Sequence, residues 1–237
     1  MIIAIDGPAG AGKSTVCRIL AERLGFVYLD TGAMYRALAW ALDEVSAGGG
    51  ADAEACLDED RIALVLQQIP LRFSINENRL QIFCGQRPLA DELRSPEISE
   101  AASRISRMPA VREFMVQWQR KLGAQGPGIV AEGRDTATVV FPGADLKVFL
   151  TADLPTRAGR RFTEYIDKGI NMPLEQIRAR IEERDEADSK RDHSPLRPAE
   201  GAVLIDTSHM EVEQVVDLLT RMARNTISGA CSACRQL

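Results

Sequence analysis

The residues with the clearest chemistry lie in a glycine-rich loop near the amino end, GPAGAGKST. Its spacing is G-x-x-x-x-G-K-S, with Gly7, Gly12, Lys13 and Ser14 at the defining positions. Glycines let the amide groups of such a loop converge on phosphate oxygens, and a following helix adds partial positive charge. The motif therefore predicts a nucleoside triphosphate site, with Lys13 on the β- and γ-phosphates and Ser14 on Mg²⁺. The predicted ATP-binding residues are Gly7, Pro8, Ala9, Gly10, Ala11, Gly12, Lys13, Ser14 and Thr15.

The flanks of this loop have the patterns that a phosphate-binding loop requires. Residues Ile2 to Asp6 are typical of a short buried strand, and apolar residues recur at helical spacing from Thr15 to Leu24. The alternative is a glycine-rich turn with a surface lysine, and the strand–loop–helix context counts against it. The loop alone leaves the phosphate acceptor open.

Three clusters of arginine with acidic or hydroxyl residues indicate that the acceptor carries a phosphate group. An acceptor that bears its own phosphate needs fixed positive charge, and the planar guanidinium group binds phosphate through two parallel hydrogen bonds. The clusters are Asp30, Thr31 and Arg36 in LDTGAMYR; Arg134 and Asp135 in AEGRD; and Arg184, Asp188 and Arg191 in IEERDEADSKR.

Each cluster also has an ordinary explanation. Arg36 could pair with a surface acid, and Arg184 could belong to a solvated helix in which charges pair at i,i+4. Arg134 and Asp135 are harder to explain in this way. They follow an apolar strand at its carboxyl end, where open α/β sheets bind ligands.

Composition excludes several other classes of protein. The net charge of −5, from 29 basic and 34 acidic residues, argues against binding to nucleic-acid polymers or membrane surfaces. No apolar run is long enough to span a membrane, and MIIAID is too short for a signal peptide. Five scattered cysteines suit a reducing compartment, so we expect a cytoplasmic protein. The chain lacks the N-K-x-D motif of guanine-binding switches.

Strand and helix patterns alternate along most of the chain, which predicts an α/β fold with a parallel sheet. The predicted strands include FVYLD, GIVAEG, LKVFL and AVLIDTS, and the predicted helices include residues 34–45, 96–108 and 111–122. IPLRFSI, RLQIFCG and RPLADEL interrupt this alternation as short strands, with NEN as a turn. That patch, from about Ile69 to Leu93, is typical of an inserted antiparallel sheet. The stretch from Asp153 to Arg191 is highly charged and mostly helical in pattern.

Several motifs, in their order and spacing, closely resemble the bacterial cytidylate kinases. These are IDGPAGAGKST, LDTGAMYR, AASRIS…VRE, GRD…TVVFP, RIEERDEADSKR…SPL and IDTS. The resemblance covers about Ile2 to Arg224. DTGAMYR and GRD…TVVFP are much more specific than the phosphate-binding loop.

The resemblance implies a P-loop nucleoside monophosphate kinase that phosphorylates CMP and dCMP with ATP and Mg²⁺. Its parallel core would span residues 1–40, 101–152 and 192–237, with a monophosphate-binding insertion at 41–100 and a short arginine-rich lid at 153–191. Ser103, Arg112 and Asp135 match the residues that hold cytosine. The acceptor-phosphate positions are matched by Arg36, Arg134, Arg184 and Arg191. Thr31 matches a hydroxyl residue of the same pocket, and Asp188, with Arg184, matches the position that reads the sugar hydroxyls.

The chemistry of cytosine agrees with these assignments. A carboxylate such as Asp135 accepts from the 4-amino group, and an arginine such as Arg112 donates to N3 or the carbonyl. Uracil presents the wrong partners, which would leave buried polar groups unpaired.

Catalysis is expected to rest on charge and position. The acceptor phosphate is mostly dianionic at neutral pH, because its second pKa is about 6. It needs no general base. The predicted catalytic residues are Lys13, Arg134, Arg184 and the lid residues Arg157 and Arg161, which we expect to contact the migrating phosphoryl group ahead of Arg178.

One site departs from the family pattern. After GRD the family usually has a bulky apolar residue and then glycine, whereas this chain has Thr136 and Ala137. If the glycine serves a positive φ, Ala137 would cost around 1 kcal/mol or more. If it serves close approach to the base, the added methyl group would alter cytosine affinity or the balance between CMP and dCMP.

Two alternative functions stay open from the sequence. One is a P-loop kinase for another small acceptor, such as a hydroxy acid or a sugar, with Asp30 as the base. The other is an ATP-binding module without turnover. The expected partners are small-molecule substrates, and the expected state is a monomer.

Overall fold

The computed structural model describes residues 1–47 and 59–234. They form two compact units: Met1–Tyr28 with Pro127–Leu237, and Leu29–Gly126. The second unit contains the predicted insertion 41–100, of which residues 48–58 lie outside the described residues. The finer division into core, insertion and lid stays a prediction.

The elements alternate in the order that an α/β chain requires. The strands are β1 (Ile2–Asp6), β2 (Val27–Asp30), β3 (Leu71–Asn76), β4 (Arg79–Cys84), β5 (Arg87–Leu89), β6 (Ile129–Gly133), β7 (Leu146–Thr151) and β8 (Val203–Asp206). The α-helices are α1 (Lys13–Leu24), α2 (Thr31–Ala47), α3 (Glu59–Gln68), α4 (Pro96–Ile105), α5 (Pro109–Gly123), α6 (Leu154–Asp167), α7 (Leu174–Lys190) and α8 (Val212–Cys234). Within the described residues, no helix has the length and apolar character needed to cross a bilayer.

The first unit is built on a parallel sheet with strand order β6–β1–β7–β8. Strand β6 is buried throughout and β1 is buried after Ile2, as expected for a parallel sheet covered by helices, whereas every second residue of β7 is only partly buried. A core cluster joins these strands to α1 and α8 through Leu20, Val216 and Leu219. The predicted α/β class with a mostly parallel sheet is confirmed.

Register decides which loops of this sheet become neighbours. Asp6 at the end of β1 is paired with Gly133 at the end of β6. Because the strands are parallel, the loops that follow them emerge at the same edge of the sheet. The glycine-rich loop and the segment after β6 therefore begin side by side.

The second unit contains the predicted antiparallel patch, formed by β3, β4 and β5. Glu77 and Asn78 have positive φ values of 49° and 59°, which suits a tight hairpin turn at NEN. The third strand is shorter than its pattern predicted: it ends at Leu89, and Asp91–Arg94 forms a 3₁₀ turn. No helix was predicted over Glu59–Gln68, where the structure has α3.

The charged stretch from Asp153 to Arg191 forms α6 and α7, as its pattern predicted. Asp153 caps α6 by accepting a hydrogen bond from the Thr156 amide at 2.7 Å. Ala158, Ile177 and Ile181 form a small buried cluster where the two helices meet. A few apolar residues therefore hold two otherwise charged helices together.

Candidate functional site

The glycine-rich loop has the shape of an anion cradle. Gly7 has a φ of 153°, and a Cβ there would lie 2.0 Å from the carbonyl oxygen of Leu150. Gly12 precedes α1 with a φ of 85°. Ser14 and Thr15 lie exposed in the first turn of α1. The loop therefore makes a tight turn that leads directly into the N-terminus of α1.

Lys13 lies buried under this loop. Its ammonium group donates to the carbonyl oxygens of Gly7 and Pro8, both at 2.7 Å. Burial first, and then the positive charge of Arg134, lower the pKa of Lys13 to about 7, while the negative charge of Glu132 opposes the shift. A bound polyanion would place negative charge next to this ammonium group, whose hydrogen-bond acceptors here are neutral carbonyls.

Asp6 ties the loop to the segment that follows β6. Its carboxylate accepts from the amide of Thr136 at 2.8 Å, from the Thr136 hydroxyl at 2.7 Å and from the amide of Ala137 at 2.8 Å. Burial raises the pKa of Asp6 above its ordinary value, although these hydrogen bonds act in the opposite direction. The end of β1 and the turn that follows Arg134 and Asp135 are therefore held together.

The departure at Ala137 carries no backbone strain. The non-glycine residues with positive φ in the described chain are Glu77, Asn78 and Ser194. Ala137 lies in a π-helical turn, Thr136–Val140, with its side chain buried. The possibility that this position requires a positive φ is therefore wrong for this chain. The effect of the methyl group on cytosine affinity stays a prediction.

Three arginines surround one buried carboxylate in the first unit. The Nε atom of Arg134 donates to Asp188 at 2.9 Å. The nearest nitrogens of Arg184 and Arg191 lie 4.0 and 3.8 Å from carboxylate oxygens of the same residue. Three guanidinium groups around one carboxylate form an arrangement that suits the binding of a further anion.

The charge state of Asp188 follows from this arrangement. Burial by itself would raise the pKa of its carboxyl group, but the charges of Arg134, Arg184 and Arg191 outweigh burial, so the pKa is lowered. Asp188 is thus an anion that keeps three cations close together. The structure brings together four of the residues predicted for the acceptor.

The two predicted lid arginines lie in different surroundings. Arg157 is buried, and its guanidinium group donates to the carbonyls of Ala152 at 2.9 Å and Ala9 at 3.1 Å. It also pairs with Asp185. Arg161 pairs with Glu164 on its own helix at 2.9 Å. Of the two, Arg157 is the one that touches the glycine-rich loop.

The predicted residues of the second unit form their own local contacts. Arg36 pairs with Asp30 at 3.0 Å, and Asp30 also accepts from the Ala33 amide at 2.7 Å. This is the ordinary pairing that the sequence left open for Arg36. Thr31 is buried at the start of α2.

The other two predicted residues of that unit lie near one turn. Arg112 is buried on α5 and donates to the Ser106 carbonyl at 3.2 Å. The Ser106 hydroxyl donates to the Ser103 carbonyl at 2.8 Å. Asp135, the third residue predicted to hold cytosine, is buried in the first unit, just before the Thr136–Val140 turn.

Four charged residues near the glycine-rich loop were not predicted from the sequence. Asp6 precedes the loop and binds the segment after β6, and Asp185 accepts from the Ala9 amide within the loop. Glu132 accepts from the Tyr28 hydroxyl, and Arg160 donates to Thr207 at 2.7 and 3.0 Å. Asp6 and Glu132 carried a usable signal, since each is an acid at the carboxyl end of an apolar strand. Nothing in the sequence distinguished Asp185 and Arg160 from the other charged residues on α6 and α7.

Comparison with known proteins agrees with the motifs. The family model described as "Cytidylate kinase" matches residues 3–225. A cytidylate kinase of Carboxydothermus hydrogenoformans is 43% identical over 91% of this chain and 94% of its own length. One of Syntrophotalea carbinolica is 44% identical over 94% of this chain and 91% of its own length, and one of Listeria welshimeri is 42% identical over 96% and 97%.

Proposed function

The chain belongs to the cytidylate kinase family, and from that premise we propose that it transfers the γ-phosphoryl group of ATP to CMP and dCMP. The observation that carries this proposal is the group of three arginines around Asp188, in the same unit as the glycine-rich loop. A triphosphate loop and a separate anion site are what a kinase needs when its acceptor is itself a phosphate ester.

The donor site is proposed at the loop Gly7–Thr15. The positive φ values of its glycines and the buried Lys13 beneath it support that assignment. Lys13 would exchange carbonyl partners for phosphate oxygens when ATP binds. Arg157 is the lid arginine we assign to the transferred phosphoryl group, since it lies against the loop, and Arg161 is the second choice.

The acceptor phosphate is proposed to bind Arg36, Arg134, Arg184 and Arg191, with Thr31 in the same pocket. The position of the last three arginines around Asp188 supports their contribution. Ser103, Arg112 and Asp135 are assigned to cytosine, and Asp188 with Arg184 to the sugar hydroxyls. The burial of Arg112 and Asp135 supports this, because a buried polar group discriminates strongly against a base that leaves it unpaired.

Transfer would then proceed directly, without a covalent enzyme intermediate or a general base. The phosphate oxygen of CMP attacks the γ-phosphorus as the bond to the β-γ bridging oxygen breaks, so that ADP leaves and CDP forms. The charge of a loose transition state spreads over the equatorial oxygens. Lys13, Arg157 and the acceptor arginines stay fixed and stabilise that charge.

Mg²⁺ is proposed to enter with ATP. The chain offers the exposed hydroxyl of Ser14 at the start of α1, a hard oxygen ligand of the kind that Mg²⁺ prefers. Phosphate oxygens and water would complete its shell, and the ion would supply charge neutralisation at the donor. The monomeric state, the cytoplasmic location and the division into core, insertion and lid remain predictions.

A panel of phosphate acceptors tests the proposed function. ADP release from Mg-ATP should be fastest with CMP or dCMP and much slower with UMP or AMP. Asp135→Ala should impair the use of CMP more than the binding of an ATP analogue. Arg23→Met is a suitable control, because Arg23 pairs with Glu213 away from the loop.

Equal rates with every acceptor would contradict the assignment, as would ADP release that no acceptor stimulates. A loss of ATP binding equal to the loss of CMP use in Asp135→Ala would indicate a structural role for that residue. Fast turnover with a sugar or hydroxy acid would favour the other class of P-loop kinase.

A further inference from the structure

An acidic side chain of α7 accepts a hydrogen bond from one amide of the glycine-rich loop and pairs with an arginine beside that loop. Asp185 accepts a hydrogen bond from the Ala9 amide at 3.3 Å through Oδ1. Its other oxygen pairs with the guanidinium group of Arg157. One carboxylate thus joins a loop amide to a buried arginine.

These donors are the ones that a triphosphate would use. The Ala9 amide belongs to the loop assigned to ATP, and Arg157 also donates to the Ala9 carbonyl at 3.1 Å. The arginine is held close: a Cβ at Gly10 would lie 3.0 Å from the Cβ of Arg157. A carboxylate and a phosphate present the same charge sign and the same acceptor oxygens, so they compete for one set of donors.

We propose that Asp185 is an internal anion that occupies donors of the ATP phosphate site between turnovers and thereby sets the affinity for ATP. Binding of ATP displaces its carboxylate from the Ala9 amide and from Arg157, and phosphate oxygens take its place. The proposal rests on the proposed function only in taking Gly7–Thr15 as the donor site.

A different role for Asp185 makes the opposite prediction. If its carboxylate only holds Arg157 in position beside bound ATP, its removal would leave the arginine misplaced and weaken ATP binding. If the carboxylate competes with ATP, its removal frees an amide and a guanidinium group and strengthens ATP binding. The direction of change in affinity therefore separates a competitor from a positioning residue.

The test is the affinity of Asp185→Asn for a non-hydrolysable ATP analogue with Mg²⁺, measured by calorimetry without CMP. We expect a dissociation constant about three- to tenfold lower than that of the unaltered protein. Glu183→Gln is the matched control: it removes the same charge from an exposed position on the same helix and should stay within about twofold. Asp185→Ser is the second variant, in case the asparagine variant does not fold.

An unchanged or weaker affinity in the variant that folds would overturn the proposal. So would an equal gain in Glu183→Gln, because the effect would then come from net charge alone. If the unaltered protein fails to bind the analogue, that result contradicts both the assignment of the donor site and this proposal. If the unaltered protein phosphorylates CMP while Asp185→Asn binds the analogue more weakly, only this proposal fails.

Discussion

Lys13 shows how one residue links the fold to the chemistry. The loop covers its ammonium group, and its two hydrogen-bond acceptors there are neutral carbonyls. With a pKa near 7, the lysine is largely neutral at pH 8 in the free protein. The folded state therefore prefers the neutral form, and its stability rises with pH between about 7 and the ordinary lysine pKa of 10.5.

A polyanion bound at the loop should restore the proton to Lys13. We predict that binding of the ATP analogue at pH 8 takes up close to one proton, and that this uptake disappears near pH 6, where the free lysine is already protonated. Calorimetry in buffers of different ionisation enthalpy measures the uptake. Lys13→Met should abolish it, whereas Lys190→Met, which removes an exposed lysine, should not. Binding at pH 8 without proton uptake would show that the lysine is charged before ATP arrives.

Thr136 is the second residue whose role can be tested by itself. Its hydroxyl donates to the buried carboxylate of Asp6, which retains two amide donors if the hydroxyl is lost. We predict that Thr136→Val lowers the free energy of unfolding by roughly 1.5–3 kcal/mol at pH 8, the usual range for a hydrogen bond to a charged group. Denaturant unfolding followed by circular dichroism measures this loss.

The pH dependence of that loss follows from Asp6. Its pKa is raised, so the proton stays on the folded protein at a pH where the unfolded chain has released it. The hydroxyl stabilises the ionised form, and the cost of Thr136→Val should therefore shrink as pH falls and Asp6 becomes protonated. Thr138→Val, whose hydroxyl lies 3.4 Å from a neutral carbonyl, should cost less and show no such trend. If the loss of unfolding free energy in Thr136→Val did not depend on pH, the ionisation of Asp6 would not explain it.

Motif and spacing together predicted where some single residues lie in the fold. Lys13 and Arg134 stand at fixed distances from a strand end, and their positions follow from the parallel register of β1 and β6. Asp185 could not be found in this way, because it is one acid among many on α7. Its contact with Ala9 depends on how α7 packs in three dimensions.

The helices α6 and α7 form an element with its own small core. Ala158, Ile177 and Ile181 are buried together, and partly buried residues such as Phe162 and Met172 pack around them. This satellite cluster is much smaller than the main core of the first unit. We infer that the two helices can open without unfolding of the sheet.

Ile181→Ala tests that inference. The truncation should destabilise the pairing of α6 with α7 by about 2–4 kcal/mol, because the cluster is too small to fill the cavity. Hydrogen exchange followed by mass spectrometry should show faster exchange in both helices and unchanged exchange in β1 and β6. Leu174→Ala, at an exposed position of α7, is the control and should leave both patterns unchanged. Faster exchange throughout the first unit would mean that the helices and the sheet unfold together.

Element boundaries were predictable in proportion to the strength of their patterns. The strands of the parallel sheet are nearly continuous apolar runs, and the glycine-rich loop marks the end of β1. The third strand of the antiparallel patch was predicted too long, because RPLADEL alternates beyond Leu89 into a 3₁₀ turn. Local alternation cannot distinguish a strand from such a turn when pairing with a neighbour decides the outcome.

The molecule as a whole places a triphosphate loop and a group of arginines in one compact unit, and further predicted acceptor residues in another. The fold class followed from strand and helix alternation, and the family followed from motifs spread over nearly the whole chain. The proposed cytosine site was assigned only residue by residue, because Ser103 and Arg112 are distant in sequence from Asp135.

The fate of the transferred phosphorus tests the central claim most directly. Equimolar CMP and ATP carrying a chiral, isotopically labelled γ-phosphoryl group are incubated with the protein and Mg²⁺, and the products are analysed by phosphorus NMR. The account predicts that the label appears in the β-phosphate of CDP with inverted configuration, as a single in-line transfer requires. Label released as inorganic phosphate regardless of CMP, or retained configuration in CDP, would contradict it.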